Sequence, residues 1–277
     1  MLAFNDYENK KELAYFLGFF WADGTINCGK YLVIEILKED ANDISRIFSK
    51  VLDFRITNRH RIGRQEQSVF FCKDKDFADF LKEMGKYPHT EETHEKIMTW
   101  IGEDYLIYFL RGLIDGDGCF YSHYGSKRNI NEVVTHFTIA ASYDQDWDYL
   151  CDVCKKYGLS LKIIRRVHNK KSKSSIVRCS NFGDIQEFIN ALYKVDDGIY
   201  LKRKKDKAFF LIEEHEKHVA NVLMNRKKYK ITKTDGSTIV VDNLKKYARE
   251  NQFCYDRMCV AANKGNGYYK GMKIEKV

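Results

Sequence analysis

A nine-residue segment occurs twice in this chain, and its form limits what the chain can fold into. Residues 16–24 read FLGFFWADG and residues 110–118 read LRGLIDGDG. Residues 13–22 hold no charged side chain, and in residues 105–114 only Arg111 interrupts the apolar run. A helix that is apolar on all sides is buried. Gly18 and Ala22 are spaced i, i+4, as are Gly112 and Gly116, so each pair shares one helix face. Small residues there let two helices cross with their backbones nearly touching. Each segment ends in Asp-Gly, so such a crossing carries Asp23 and Asp117 to one end. Asp6, with Asn5, reads as the cap of the first helix, and Glu8 lies in its first turn. Gly24 and Gly118 read as the left-handed residues that end the two helices.

Two carboxylates at helix C-termini sit at the unfavourable end of the dipole and also repel each other. The arrangement makes sense if Mg²⁺, a cation suited to oxygen ligands and water, neutralises them. In phosphodiester cleavage a metal there would activate water, hold the phosphate and stabilise the leaving oxygen. A single Asp-Gly would be an ordinary helix-ending turn; two, in matched surroundings, point to a site.

The segments downstream of the two motifs are also alike. After the first, residues 31–37 read as a strand, 42–52 as an amphipathic helix with Ile44, Ile47, Phe48 and Val51 inward, 55–71 as a hairpin and 76–84 as a helix. After the second, residues 136–142 read as a strand, 148–157 as a helix, 161–178 as a hairpin and 184–193 as a helix. Asp23 and Asp117 are 94 positions apart, Asp76 and Asp184 are 108 apart, and the difference fits a longer loop at residues 121–133. The fold expected is α+β, with two pseudo-symmetric αββαββα repeats at residues 1–100 and 101–212. Neither repeat is large enough to form a good core alone.

The chain has 277 residues, 44% hydrophobic and 14% aromatic, so a substantial core is available. No apolar run reaches the length of roughly 18–20 residues that a membrane span needs. The start of the chain lacks a secretory pattern, and a cytoplasmic location is expected. Eight cysteines are then expected to be free thiols. The pair Cys151 and Cys154 has zinc-like spacing, but no second pair accompanies it, and buried helix positions are the better reading. The net charge of +8 is unevenly placed: residues 201–277 carry 19 basic and 9 acidic side chains, against 28 and 30 before them. A basic final third suggests nucleic acid.

The motif pair with its downstream pattern resembles the LAGLIDADG homing endonucleases in their single-chain, two-repeat form, over roughly residues 8–212. That resemblance implies a monomer straddling double-stranded DNA as a saddle. It makes Asp23 and Asp117 the catalytic, metal-binding pair, with Gly24 and Gly118 beside them as further residues of the metal site. It implies Mg²⁺, with Mn²⁺ as a substitute and Ca²⁺ as a cation that binds without supporting cleavage. Asp115 has Trp21 as its counterpart and so looks structural. In the segment from Leu201 to Ala208, Lys204 best matches the basic residue that family members place near the metal. In the first repeat His89 stands after Pro88, where relatives often carry lysine, and Lys86 is the alternative. The source implied is a mobile intron or a phage gene.

The hairpins are the expected DNA-reading surface. The first carries Arg55, Arg59, His60, Arg61, Arg64, Gln65 and Gln67. The second carries Lys162, Arg165, Arg166, His168, Asn169, Lys170, Lys171, Lys173 and Arg178, and Lys202 lies later in the chain. Arg, Asn and Gln read base edges, while Lys mostly neutralises phosphate. Residues 213–228 read as a charged helical connector in which His215 and His218 are solvated. Residues 229–277 change texture: two short strands about Asp235-Gly236, a capped helix at 242–251, a second helix at 255–263 and a Lys-Gly tail. This resembles the small helix-turn-helix modules at the C-termini of mobile-intron and phage endonucleases. Lys245, Lys246, Arg249, Arg257, Lys264 and Lys270 would be its DNA contacts.

A site-specific endonuclease cutting both strands is the leading reading. A non-cleaving DNA-binding regulator, or an RNA maturase that assists intron splicing, stays open. So does a strand-specific nicking enzyme, given the unequal His89 and Lys204.

Overall fold

A computed structural model describes residues 3–60, 63, 65–86, 94–124, 133–169, 172–224, 227–264 and 267–277. The chain divides into two compact units, Met1–His215 and Glu216–Val277.

In the first unit, helix α1 (Lys10–Asp23) runs directly into β1 (Gly24–Asn27), which pairs with β2 (Tyr31–Leu37). Helix α2 (Ala41–Phe48) leads to the hairpin β3 (Arg55–Arg59) and β4 (Gln67–Lys73), then to α3 (Lys75–Glu83) and α4 (Glu95–Ile101). The second repeat takes the same course with α5 (Leu106–Asp117), β5 (Gly118–Tyr124), β6 (Val133–Ala141), α6 (Asp148–Lys156), β7 (Lys162–Asn169), β8 (Ser172–Cys179), α7 (Phe182–Leu192) and the long α8 (Lys202–Met224). The sheets have matching strand orders, β1-β2-β4-β3 and β5-β6-β8-β7. This is the α+β, two-repeat architecture expected from the sequence.

Alternation sets each sheet's two faces. Leu32, Ile34 and Ile36 of β2 and Phe70 and Cys72 of β4 point into the core, as do Phe137 and Ile139 of β6 and Val177 and Cys179 of β8. Every residue of α1 from Leu13 to Trp21 is buried, which is why that stretch tolerates no charge. In α5, buried Arg111 is retained because its guanidinium pairs with Asp197 at 2.9 Å and donates to the carbonyls of Leu192, Val195 and Ile199.

Three local expectations are corrected. Asp6 does not cap α1; its carboxylate accepts from the Ala3 amide across a short 3-10 turn, and α1 begins after Asn9. Gly24 and Gly118 are not left-handed: their φ values are −80° and −73°. They are glycine because the chain turns so sharply from helix to strand that a Cβ would strike Phe20 at one position and Ile114 at the other. His215 is not solvated, since its ring stacks on Phe182 at 3.6 Å and its Nδ1 lies 3.3 Å from the Thr135 hydroxyl.

The second unit begins within α8, which runs to Met224, so residues 213–224 of the segment read as a separate connector continue that helix. It contains β9 (Tyr229–Thr232), β10 (Thr238–Val241), α9 (Leu244–Glu250), α10 (Tyr255–Asn263), β11 (Gly267–Tyr269) and β12 (Met272–Lys276). Asn243 caps α9 by accepting from the Lys246 amide at 2.9 Å. The Lys-Gly tail is a hairpin rather than a tail. Lys270 and Gly271, both at positive φ, form its two-residue turn, and β12 closes a four-stranded sheet of order β10-β9-β12-β11.

All eight cysteines are free, and Cys154 is buried in α6, where burial raises its thiol far above the usual range. Among the described residues no helix is long and apolar enough to cross a membrane.

Candidate functional site

The site grows out of the crossing of α1 and α5. Gly18 lies against the backbone of Phe109 and Leu113, and Gly112 lies against Tyr15 and Phe19, so closely that a Cβ at either would collide with a carbonyl oxygen. At the same end, Gly116 packs against Ala22 and the carboxylate of Asp23. The crossing therefore brings Asp23 and Asp117 together where the helices stop.

Both carboxylates open to solvent on one side and are backed by dense protein on the other. That exclusion of water, and then the charge of Asp117, raises Asp23 to about 6 against the opposing pull of Lys204 and Lys86. Burial also raises Asp117, against Lys86 and Lys204.

Lys86 and Lys204 are placed in similar ways. The Lys86 ammonium donates to the Trp21 carbonyl at 2.7 Å and lies 5.8 Å from the Phe20 ring centre. Lys204 donates to the carbonyls of Gly118 at 2.6 Å and Ile114 at 3.4 Å. Lys86 thus sits on the last turn of α1, where carbonyls lack helical partners, and Lys204 sits at the junction of α5 with β5. Burial lowers Lys86 to about 8, opposed by Asp117 and Asp23, and it lowers Lys204 as well. The Gly118 carbonyl is thereby occupied by Lys204. Beside Asp23 a cavity of about 280 Å³ is lined by Glu35, Gln67, Asp115, Arg203 and Lys204 among others.

Lys86 is the residue that sequence reading reached only as a substitute for His89. Its signal was weak: one lysine after Gly85, whose positive φ ends α3 and turns the chain toward the motif helix. His89 lies outside the described residues, as do Arg61, Arg64, Lys170 and Lys171.

The hairpin residues divide between the faces of their sheets. Arg55 and Arg59 share the open face of the first sheet with Gln67, to which Arg59 is directly paired. Arg59 also reaches Glu35 at 3.2 Å, and Gln65 is exposed nearby. In the second sheet Lys162, Arg166 and Arg178 share the open face. Arg178 donates to the Tyr121 hydroxyl at 3.1 Å, beside the stacked pair His123 and His136, which the sequence reading missed. Arg165 and Lys173 do not join them; they turn to the opposite face and lie 6.0 and 5.3 Å from the Tyr143 ring centre. Lys202 pairs with Asp206 along α8. In the second unit Lys245, Lys246, Arg249, Arg257, Lys264 and Lys270 are all exposed, with Lys270 also over the Phe253 ring at 5.4 Å.

The fold and its paired motif helices define a LAGLIDADG-type protein. The family described as the WhiA LAGLIDADG-like domain matches residues 12–99 and 109–195, and the chain belongs to that family. Among solved structures, full-length WhiA from Thermatoga maritima is 13% identical over 79% of this chain and 71% of its own, with a TM-score of 0.45. The structure of I-DmoI in complex with DNA and Ca is 12% identical over 74% and 98%, with a TM-score of 0.44. The LAGLIDADG homing endonuclease I-GzeII, in complex with its DNA target, is 15% identical over 76% and 95%, with a TM-score of 0.43.

Proposed function

We propose that the chain is a metal-dependent, site-specific endonuclease that cuts both strands of duplex DNA across the minor groove and leaves 3′ overhangs. The observation that carries this reading is the pairing of Asp23 and Asp117, each open to solvent on one side, at a crossing that also holds Lys86 and Lys204. A protein that only binds DNA has no use for two mutually repelling carboxylates and two partly dehydrated ammonium groups at one point.

The donor set fits Mg²⁺. Two hard carboxylates leave positions for several waters, as Mg²⁺ prefers. Among the described residues no three His, Cys, Asp or Glu side chains converge on a cage for a softer metal. Asp23 and Asp117 would hold the ion, and when bound it supplies charge neutralisation and an acidified water. Mn²⁺ would substitute, and Ca²⁺ would bind without supporting cleavage. Lys86 and Lys204, fixed by backbone carbonyls, place positive charge where a cleaved phosphate gains negative charge. The open sheet faces with Arg55, Arg59, Lys162, Arg166 and Arg178, and the basic second unit as a helix-turn-helix module, would hold the duplex.

Membership of the WhiA LAGLIDADG-like family favours a second reading, a DNA-binding regulator without cleavage. The test is to incubate purified protein with genomic DNA, with and without Mg²⁺, and to sequence the ends produced. Metal-dependent breaks at few sites with 3′ overhangs, lowered on the order of 10³-fold in Asp23→Asn while binding persists, are expected. Nicks alone would favour a strand-specific enzyme. Bound but intact DNA would move the assignment to the regulator.

A further inference from the structure

We propose that the first repeat positions Lys204, the lysine of the second repeat, by completing through Asp43 the cap that helix α8 lacks. The inference rests on the endonuclease reading for what Lys204 does, but the clamp itself can be tested without it.

Helix α8 starts abruptly. The residue before it is Leu201, whose side chain has no oxygen with which to cap the first amides. Two carboxylates from elsewhere fill that role. Asp115 of α5 accepts from the Leu201 amide at 2.7 Å, and Asp43 in the first turn of α2 accepts from the Lys202 amide at 3.0 Å. Both acceptors stand at a helix N-terminus, the end of the dipole that favours carboxylate oxygens.

The next side chain tightens the grip. Arg203 makes a two-pronged pair with buried Asp40, at 3.1 and 2.6 Å, and reaches Glu39 at 3.4 Å. Such fork-to-carboxylate pairing fixes direction as well as distance. Just upstream, Arg46 donates to the Gly198 carbonyl at 2.6 Å. From the other side Tyr15 of α1 donates to the same Asp115 oxygen, at 2.7 Å. Thus Asp40, Asp43 and Arg46, all from the first repeat, converge on the chain within six residues of Lys204, and Tyr15 steadies Asp115, which holds Leu201. Each ammonium is held by carbonyls of its own repeat, that of Lys86 by Trp21 and that of Lys204 by Gly118 and Ile114, but the backbone that carries Lys204 is held by side chains of the first repeat. The second repeat's lysine therefore depends on the first repeat for its place.

Asp43 and Asp40 are positioning residues, and they should affect one DNA strand only. Asp43→Ala removes the cap, whereas Asp43→Asn keeps an oxygen that accepts from the Lys202 amide. Asp40→Asn, which breaks the ion pair, serves as an independent second variant. Amide exchange over residues 201–205 of the full chain should accelerate in Asp43→Ala and Asp40→Asn and stay protected in Asp43→Asn. On a supercoiled plasmid bearing the recovered recognition site, nicking of one strand should slow on the order of tenfold. That strand should be the one slowed by Lys204→Met, with the other strand's rate and DNA binding unchanged. Equal slowing of both strands, no slowing, or failure of Asp43→Asn to restore the rate would overturn the positioning role. If the wild-type protein cuts nothing, the endonuclease reading has failed, and the exchange result alone shows whether the clamp exists.

Discussion

His94 shows how one buried side chain ties the motif helix to the rest of the first unit and makes stability depend on pH. Its ring is fully enclosed, 5.9 Å from the Trp21 ring centre and stacked 6.0 Å from that of Trp147. Burial, with Lys86 adding and Asp146 opposing, pushes it down to about 4 from 6.5. The unfolded chain therefore binds more protons than the folded one between these values. Its contribution is complete above pH 6.5 and is lost as pH falls toward 4, a change of about 3 kcal/mol. Asp115, raised to about 7 by burial, works in the opposite sense, so the informative quantity is a difference. Unfolding free energies of the wild type and His94→Phe, measured from pH 7.5 to 4.5, should diverge, with only the wild type losing this increment. Parallel curves would show that His94 does not titrate with unfolding. No sequence pattern marks His94, because its neighbours Trp21 and Trp147 meet only in the folded chain. Asp23 and Asp117 were legible because recurrence of a whole motif is a stronger signal than any single residue. Lys86 was visible only as a fallback, since its approach to the site depends on a turn and not on spacing.

At the scale of elements, the crossing of α1 and α5 is the feature everything else depends on. Gly112 faces Tyr15 and Phe19 so closely that a methyl group would need the helices to part. Interiors resist such overpacking. Gly112→Ala is expected to destabilise the first unit by about 3 kcal/mol, measured by denaturant unfolding. It should also lower metal-dependent cleavage more than DNA binding, because the carboxylates separate while the sheet faces survive. A stable, fully active Gly112→Ala protein would mean that the helices have room to spare. This crossing was readable in advance from paired small residues in apolar helices. So was β2, since Tyr31–Leu37 is a short run rich in β-branched and aliphatic residues, and the structure alternates it between the core and the open face. Helix α4 was not read, because its seven residues are too few for a period to stand out. The β11–β12 hairpin was missed for a different reason. Its turn places Lys270, a residue without special turn preference, at φ 49°, and only the neighbouring Gly271 hinted at it.

For the whole molecule, charge and core divide along the same line. The two units have separate cores, one built on the motif helices and sheets, the other on Ile231, Leu244, Met258 and Ile274. Residues 216–277 carry fourteen Lys and Arg against six Asp and Glu, which equals the net +8 of the entire chain. The first unit is therefore neutral overall; under the proposed function it would hold duplex through local placement, with Arg55, Arg59, Lys162, Arg166 and Arg178 set on its open sheet faces. Long-range attraction would then fall to the second unit. Each phosphate contact releases counterions and steepens the dependence of affinity on salt. A chain ending at Met224 should then bind a non-specific duplex more weakly. Its slope of log affinity against log salt should be shallower by roughly 3–5. Cleavage at saturating protein should persist, since Asp23, Asp117, Lys86 and Lys204 all precede the cut. Fluorescence anisotropy of a labelled duplex across a salt series reads the slope directly. An unchanged slope would assign the phosphate contacts to the first unit and leave the basic second unit without a part in holding DNA.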